Sequence, residues 1–177
     1  MKNALLTLLS VICFLPLNAA AQDAVAPAAA NPAPVPQISS GLPVPRFVSL
    51  RSEKVFVRTG PALRYPIKWV YSRPDLPVEV VQEFDTWRKI RDIDGDEGWV
   101  HQSLLSAKRA ALVKAEGEVN LNKGPDLATP VLARLEPKVV AHVAACVPGW
   151  CEVEAGGYKG WAERKYLWGV YEAEQFN

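Results

Sequence analysis

Two of the three cysteines, both histidines and a run of aspartates carry most of the reactive chemistry in this chain of 177 residues. Cys146 and Cys151 stand in the segment ACVPGWC. A redox dithiol normally has two spacer residues, whereas this pair has four. A zinc site needs three or four ligands, and only His142 lies close by. The Val147-Pro148-Gly149 stretch can turn the chain back on itself and bring the two cysteines together. In an exported protein that pattern is expected to be a structural disulfide, Cys146 with Cys151. So short a loop is worth about 2 kcal/mol in the chain-entropy account.

Asp92, Asp94 and Asp96 superficially resemble a calcium loop. Gly95 takes the fourth position rather than the sixth, and Ser103 stands where a bidentate Glu is required, so the acidic cluster is expected to be a hairpin tip. Neither His101 nor His142 has a counterpart elsewhere in the chain. No Ser or Cys lies in a pattern with a base and an orienting group, so no catalytic constellation is expected. The reading is of a protein that is not an enzyme and uses no metal and no cofactor.

Aromatic residues are the other candidates, and repetition organises them. Val55-Phe56-Val57-Arg58-Thr59-Gly60-Pro61 is echoed by Val119-Asn120-Leu121-Asn122-Lys123-Gly124-Pro125. Trp87-Arg88-Lys89-Ile90 is echoed by Trp150-Cys151-Glu152-Val153, and Gly98-Trp99-Val100 by Gly160-Trp161-Ala162. Asp94-Gly95 corresponds to Gly156-Gly157, both suited to the positive φ of a tight hairpin. The offset drifts from 64 to 62, as loop deletions would produce. Two copies of one unit follow, over 46–113 and 114–172. Alternation at Leu76, Val78 and Val80, matched by Val139, Ala141 and Val143, indicates half-buried strands. Short strands need closure to hide their edges, which favours barrels. A unit of about 60 residues is marginal by itself, so packing of the two copies is expected.

These landmarks resemble the bacterial SH3-like family, whose pattern runs through Arg-x-Gly-Pro, a Pro-containing strand, a Trp strand and Gly-Trp-Val. The first copy supplies VFVRTGPALRYPIKWVY, LPVEVV, WRKI and GWVHQSLL. The second is looser, with Asn122 in place of Arg and Ala128-Thr129-Pro130 in place of Arg64-Tyr65-Pro66. The resemblance implies an all-β chain of two tandem SH3-like barrels, each of five or six strands. It also implies an exported recognition module for cell-wall polymer or an envelope protein or peptide.

Strand parity locates candidate ligand contacts independently. Ile90 should face the interior of the first barrel, so Trp87, three residues earlier, points outward, as does Trp150 against Val153. An outward Trp is expected to cover a partner, the other barrel or a loop. In SH3-like barrels the equivalent Trp lines a peptide groove with an aromatic near the final turn, a place taken here by Leu104 and Tyr166. Tyr65, Trp69 and Tyr71 could wall the first groove, and with Arg64, Lys68 and Arg73 would suit sugar rings or acidic peptides. Trp99 and Trp161, each following a glycine, are expected to pack. The alternative to a ligand groove is a structural subunit whose tryptophans bury against a partner protein.

What precedes the repeats sets the compartment. Lys2, an apolar run from Ala4 to Leu17 and Ala19-Ala20-Ala21 make residues 1–21 a secretory signal peptide. The run is too short to span a bilayer, and Pro16 interrupts it. Cys13 lies inside that peptide. Residues 22–45 are rich in Ala and Pro, the composition of a semi-rigid linker. The mature chain is then neutral, without the long-range field that gathers nucleic acid or anionic membrane. A periplasmic or extracellular location is expected.

Overall fold

The computed structural model describes residues 40–176. The signal peptide and most of the linker expected from the sequence lie outside them. Fourteen strands follow in chain order. The first seven are β1 (Arg46–Leu50), β2 (Val55–Arg58), β3 (Ile67–Tyr71), β4 (Pro77–Phe84), β5 (Trp87–Arg91), β6 (Glu97–His101) and β7 (Leu105–Ser106). The second seven are β8 (Ala110–Val113), β9 (Val119–Asn122), β10 (Val131–Leu135), β11 (Val140–Val147), β12 (Trp150–Ala155), β13 (Tyr158–Glu163) and β14 (Leu167–Trp168). A single 3-10 turn precedes the last strand of each set, at Gln102–Leu104 and Arg164–Tyr166.

The sheets have one topology used twice. The first is ordered β3-β2-β6-β5-β4-β1-β7 and the second β10-β9-β13-β12-β11-β8-β14. The fold is therefore all-β and built from two tandem copies of one unit, as the resemblance implies. Each sheet has seven strands, against the five or six implied by the resemblance, because the two-residue strands β7 and β14 add to the count. The boundary also moves. Ala110–Val113 pairs with β11 and β14 of the second sheet, so it opens the second barrel instead of closing the first.

Alternation decides what is inside. Leu50, Val55, Val57, Val78, Val80, Ile90 and Val100 form the first core, and Leu121, Ala141, Cys151, Val153 and Ala162 lie in the second. The turns carry positive φ where the sequence supplies glycine: Gly95 at 88°, and Gly156 and Gly157 at 58° and 83°. Two consecutive residues of positive φ match the right-handed twist of the β12–β13 hairpin. The Cys146–Cys151 disulfide forms between directly opposed residues of β11 and β12, Cα atoms 4.1 Å apart, and joins the second core.

The two barrels share a seam. Phe47 of β1 meets the ring of Trp168 edge-on at 5.1 Å and that of Tyr171 at 4.7 Å. The Tyr171 hydroxyl donates to Glu79 Oε1 at 2.8 Å, and Arg73 donates to the Lys138 carbonyl at 3.0 Å. Gly169 is required where the barrels touch. Its φ is 115°, and a Cβ there would lie 2.4 Å from the Ala110 carbonyl oxygen and 2.9 Å from Pro77. Residues after β14 are then tied down from below. Arg164 donates to the carbonyls of Val147, Tyr171 and Glu172, Arg109 pairs with Glu174, and Phe176 bridges to Cys146.

Candidate functional site

The six aromatic residues expected to line grooves do not converge on one surface. Trp87 leaves the contiguous core, as parity requires, yet it is only 8 % exposed. Its cross-strand partners are Phe84 and His101, and the His101 ring meets it edge-on at 5.5 Å. Trp87 is thus sealed within its own barrel. Tyr65 lies over Gly60, close enough that a Cβ on Gly60 would strike the ring at 2.6 Å. Trp69 and Tyr71 pack edge-on to each other at 6.0 Å against the first core, and Tyr166 packs against the second.

Trp99 and Trp161 depart from expectation in the opposite direction. Register places Trp99 opposite Lys89 and Arg58, and Trp161 opposite Glu152 and Asn122. Both are half-buried on the outer sheet face rather than in the cores, whose residues on β6 and β13 are Val100 and Ala162. The preceding glycines have a different purpose. A Cβ at Gly98 would strike Val57 at 2.3 Å, and one at Gly160 would strike the Asn122 carbonyl at 2.7 Å. The glycine lets strands approach closely, and the Trp beside it faces out.

Two clefts run along the seam. The smaller, about 650 Å³, has a floor of Leu76, Pro77, Val78, Leu112 and Val113 and includes Tyr71, Arg73 and Lys138. The larger, about 1170 Å³, brings Trp150, Trp168, Tyr171 and Phe47 together with Glu79, Arg91, Glu163 and Lys165. Ile93, Asp94 and Lys114 border both, so the two are continuous past the tip of the β5–β6 hairpin. Of the six candidates, Trp150 reaches the larger cleft and Tyr71 the smaller. Sequence reasoning missed Phe47, Trp168 and Tyr171. The signal for Trp168 was a difference between the copies, because Leu167-Trp168-Gly169 replaces Leu105-Ser106-Ala107.

Polar geometry stiffens the walls. Asp92 accepts from the Asp94 and Asp96 backbone N–H groups at 3.1 and 2.9 Å and from the Tyr71 hydroxyl at 2.7 Å. The acidic tip is an Asx-type turn closed by one carboxylate. Burial and this bond to Asp92 push the Tyr71 phenol well above its usual range. Burial likewise raises Tyr171, with its bond to Glu79 adding to the effect. Both phenols therefore stay neutral donors. The Trp168 indole N–H is buried without an acceptor among the described residues.

His101 Nδ1 lies 2.7 Å from the Ser103 hydroxyl and also accepts the Ser103 backbone N–H, so this pair caps the 3-10 turn. Among the described residues no three His, Cys, Asp or Glu side chains are placed to hold a metal ion. Among them, too, no helix is long and apolar enough to cross a membrane.

Two stretches, residues 51–107 and 115–169, match the family described as bacterial SH3 domain. No curated protein matches. The chain is similar to the solved structure of NlpC2 from Trichomonas vaginalis, at 14 % identity and a TM-score of 0.34, over 73 % of this chain and 50 % of that one. It is also similar to NlpC1 from the same organism, at 14 % identity and a TM-score of 0.33, over 74 % and 48 %. The chain spans about half the length of each.

Proposed function

Because this chain belongs to the bacterial SH3 domain family, with one copy in each half, we propose that it is an exported, non-catalytic binding module for cell-envelope material. Domains of this family are typically binding modules. The ligand class is peptidoglycan or an envelope protein or peptide, and the contact surface is the seam. One observation carries this reading: the packed barrels leave an aromatic cleft of about 1170 Å³ that neither barrel has alone. Its lining sets aromatic faces beside charged groups, which suits a ligand that presents both ring or apolar faces and polar substituents. Trp150 and Trp168 offer stacking surface, while Glu79, Arg91, Glu163 and Lys165 offer directional partners. Tyr71 contributes in the smaller cleft. Export rests on the apolar leader at residues 1–21, and the non-catalytic reading on the described residues, among which no nucleophile is paired with both a base and an orienter.

Co-sedimentation of the purified mature chain with cell-wall sacculi, with release of soluble fragments assayed in parallel, tests this. Saturable pelleting without release supports the proposal. Release of soluble fragments contradicts its non-catalytic part. Failure to pellet, with capture of an envelope protein instead, moves the ligand from polymer to protein.

A further inference from the structure

We propose a second docking surface, separate from the seam: the β2–β3 ribbon of the first barrel accepts an extended acidic peptide as an added strand. Between positions 54 and 74 the chain carries Lys54, Arg58, Arg64 and Lys68, with Arg73 at the end that meets the seam, and no carboxylate. None of these five cations is in an ion pair among the described residues. Three rest on aromatic faces instead: Lys54 over Phe56 at 5.2 Å, Arg64 over Tyr65 at 5.1 Å and Lys68 over Trp69 at 4.8 Å. Arg58 holds the intervening loop by donating to the carbonyls of Leu63 and Tyr65 at 3.0 and 2.8 Å. The chain as a whole carries a net charge of only +1, so the ribbon concentrates positive charge locally.

The shape of the surface selects among anions. Among the described residues β3 is an edge strand of its sheet with β2 its one neighbour, so its other side presents backbone donors and acceptors. Only a peptide backbone matches such an edge. Leu63, Ile67 and Val70 are 76 %, 46 % and 39 % exposed beside it, which suits a strand alternating acidic and apolar side chains. A lysine on an edge strand can also serve merely to prevent aggregation. The second barrel argues against that as a full account. Its corresponding ribbon, 118–138, exposes Leu127, Val131 and Leu132 in the same way. It balances Lys123, Arg134 and Lys138 with Glu118, Asp126 and Glu136, and Arg134 pairs with Glu118 at 3.4 Å. Apolar exposure is common to both copies, whereas a net positive charge belongs to the first alone.

The test is calorimetric titration of the mature chain with a synthetic peptide alternating Glu and Val. The wild type should bind it, and more weakly at higher salt, as screened charges require. Arg64→Glu and Lys68→Glu, both at exposed positions, should each weaken binding roughly tenfold while unfolding at the wild-type temperature. Methylating the backbone nitrogens of alternate peptide residues should abolish binding in one of the two possible phases and spare it in the other. Equal binding by both methylated peptides and the unmodified one would overturn strand addition. Equally tight binding of polyphosphate or anionic vesicles would show a general anion surface and overturn it too. Wild-type affinity in both charge-reversed variants would remove the ribbon altogether. Sacculus binding through the seam is read separately, so failure of one proposal leaves the other standing.

Discussion

The hydroxyl of Tyr171, beyond the last strand of the second barrel, donates to the carboxylate of Glu79 in the first barrel at 2.8 Å, across 92 positions of chain. Glu79 is buried, stands opposite Phe47 on the neighbouring strand and also accepts from Arg91 at 3.3 Å, so the bond closes a polar network at the seam. Removing one donor from a buried carboxylate that keeps another should cost about 1–2 kcal/mol. Tyr171→Phe is therefore expected to lower the denaturant midpoint of the whole mature chain by that amount. A variant as stable as wild type would show the seam to be held by apolar packing alone.

The second barrel holds the disulfide, and its loss should be felt there. Replacing Cys146 and Cys151 by Ser together should cost about 2 kcal/mol. Both sulfurs are buried in the second core, so amide exchange should quicken in β11 and β12 and little in β4 and β5. Thiol labelling of the unreduced, denatured wild type should find no free cysteine in the mature chain.

Acid should weaken the first barrel through Glu83. Burial would raise its carboxyl, but hydrogen bonds from the Ser40 backbone and hydroxyl and from Arg46, with the charge of Arg88, outweigh that and lower it to about 2. A depressed folded value means stabilisation that is complete above the ordinary carboxylate range and is lost as the pH falls toward 2. Wild type should exceed Glu83→Gln in stability at pH 7, and the gap should close between about pH 4.5 and pH 2. A gap independent of pH would assign the residue a purely steric role.

Tryptophan burial is where sequence and structure part most clearly. Ile90 lies in the first core cluster and Trp87 outside it, as period-2 alternation expects, yet Trp87 is itself buried. Parity cannot tell whether neighbours on the outer face then cover the ring, and Phe84 and His101 flank Trp87 on either side. The glycine before Trp99 suggests tight packing, and packing is tight there, but at the glycine. Ile90→Ala should cost the roughly 2–5 kcal/mol of a core truncation, and Trp99→Ala distinctly less. The reverse order in thermal unfolding would return Trp99 to the interior.

The repeat and its topology were legible because most strands alternate and the β5–β6, β11–β12 and β12–β13 hairpins carry glycine at their turns. The seam was not, because it is built where the copies differ. Trp168 and Gly169 stand where the first copy has Ser106 and Ala107, and Tyr171 lies outside the repeated pattern. Pairwise comparison finds what two copies share, whereas an interface between them requires that they be unequal. The boundary shifted for a related reason: Ala110–Val113 reads as a continuous apolar run, which pattern alone assigns to either neighbour.

On the proposed function, the seam cleft, and Trp150 in particular, holds an envelope ligand. The direct measurement is sacculus co-sedimentation of wild type and Trp150→Ala, with thermal unfolding of both. Trp150 is half-buried at the cleft and outside the second core, so the variant should stay folded with at most a small loss of stability. Its binding should fall at least about tenfold, as removal of a central aromatic contact does. A folded Trp150→Ala protein that pellets with sacculi as wild type does would contradict the claim.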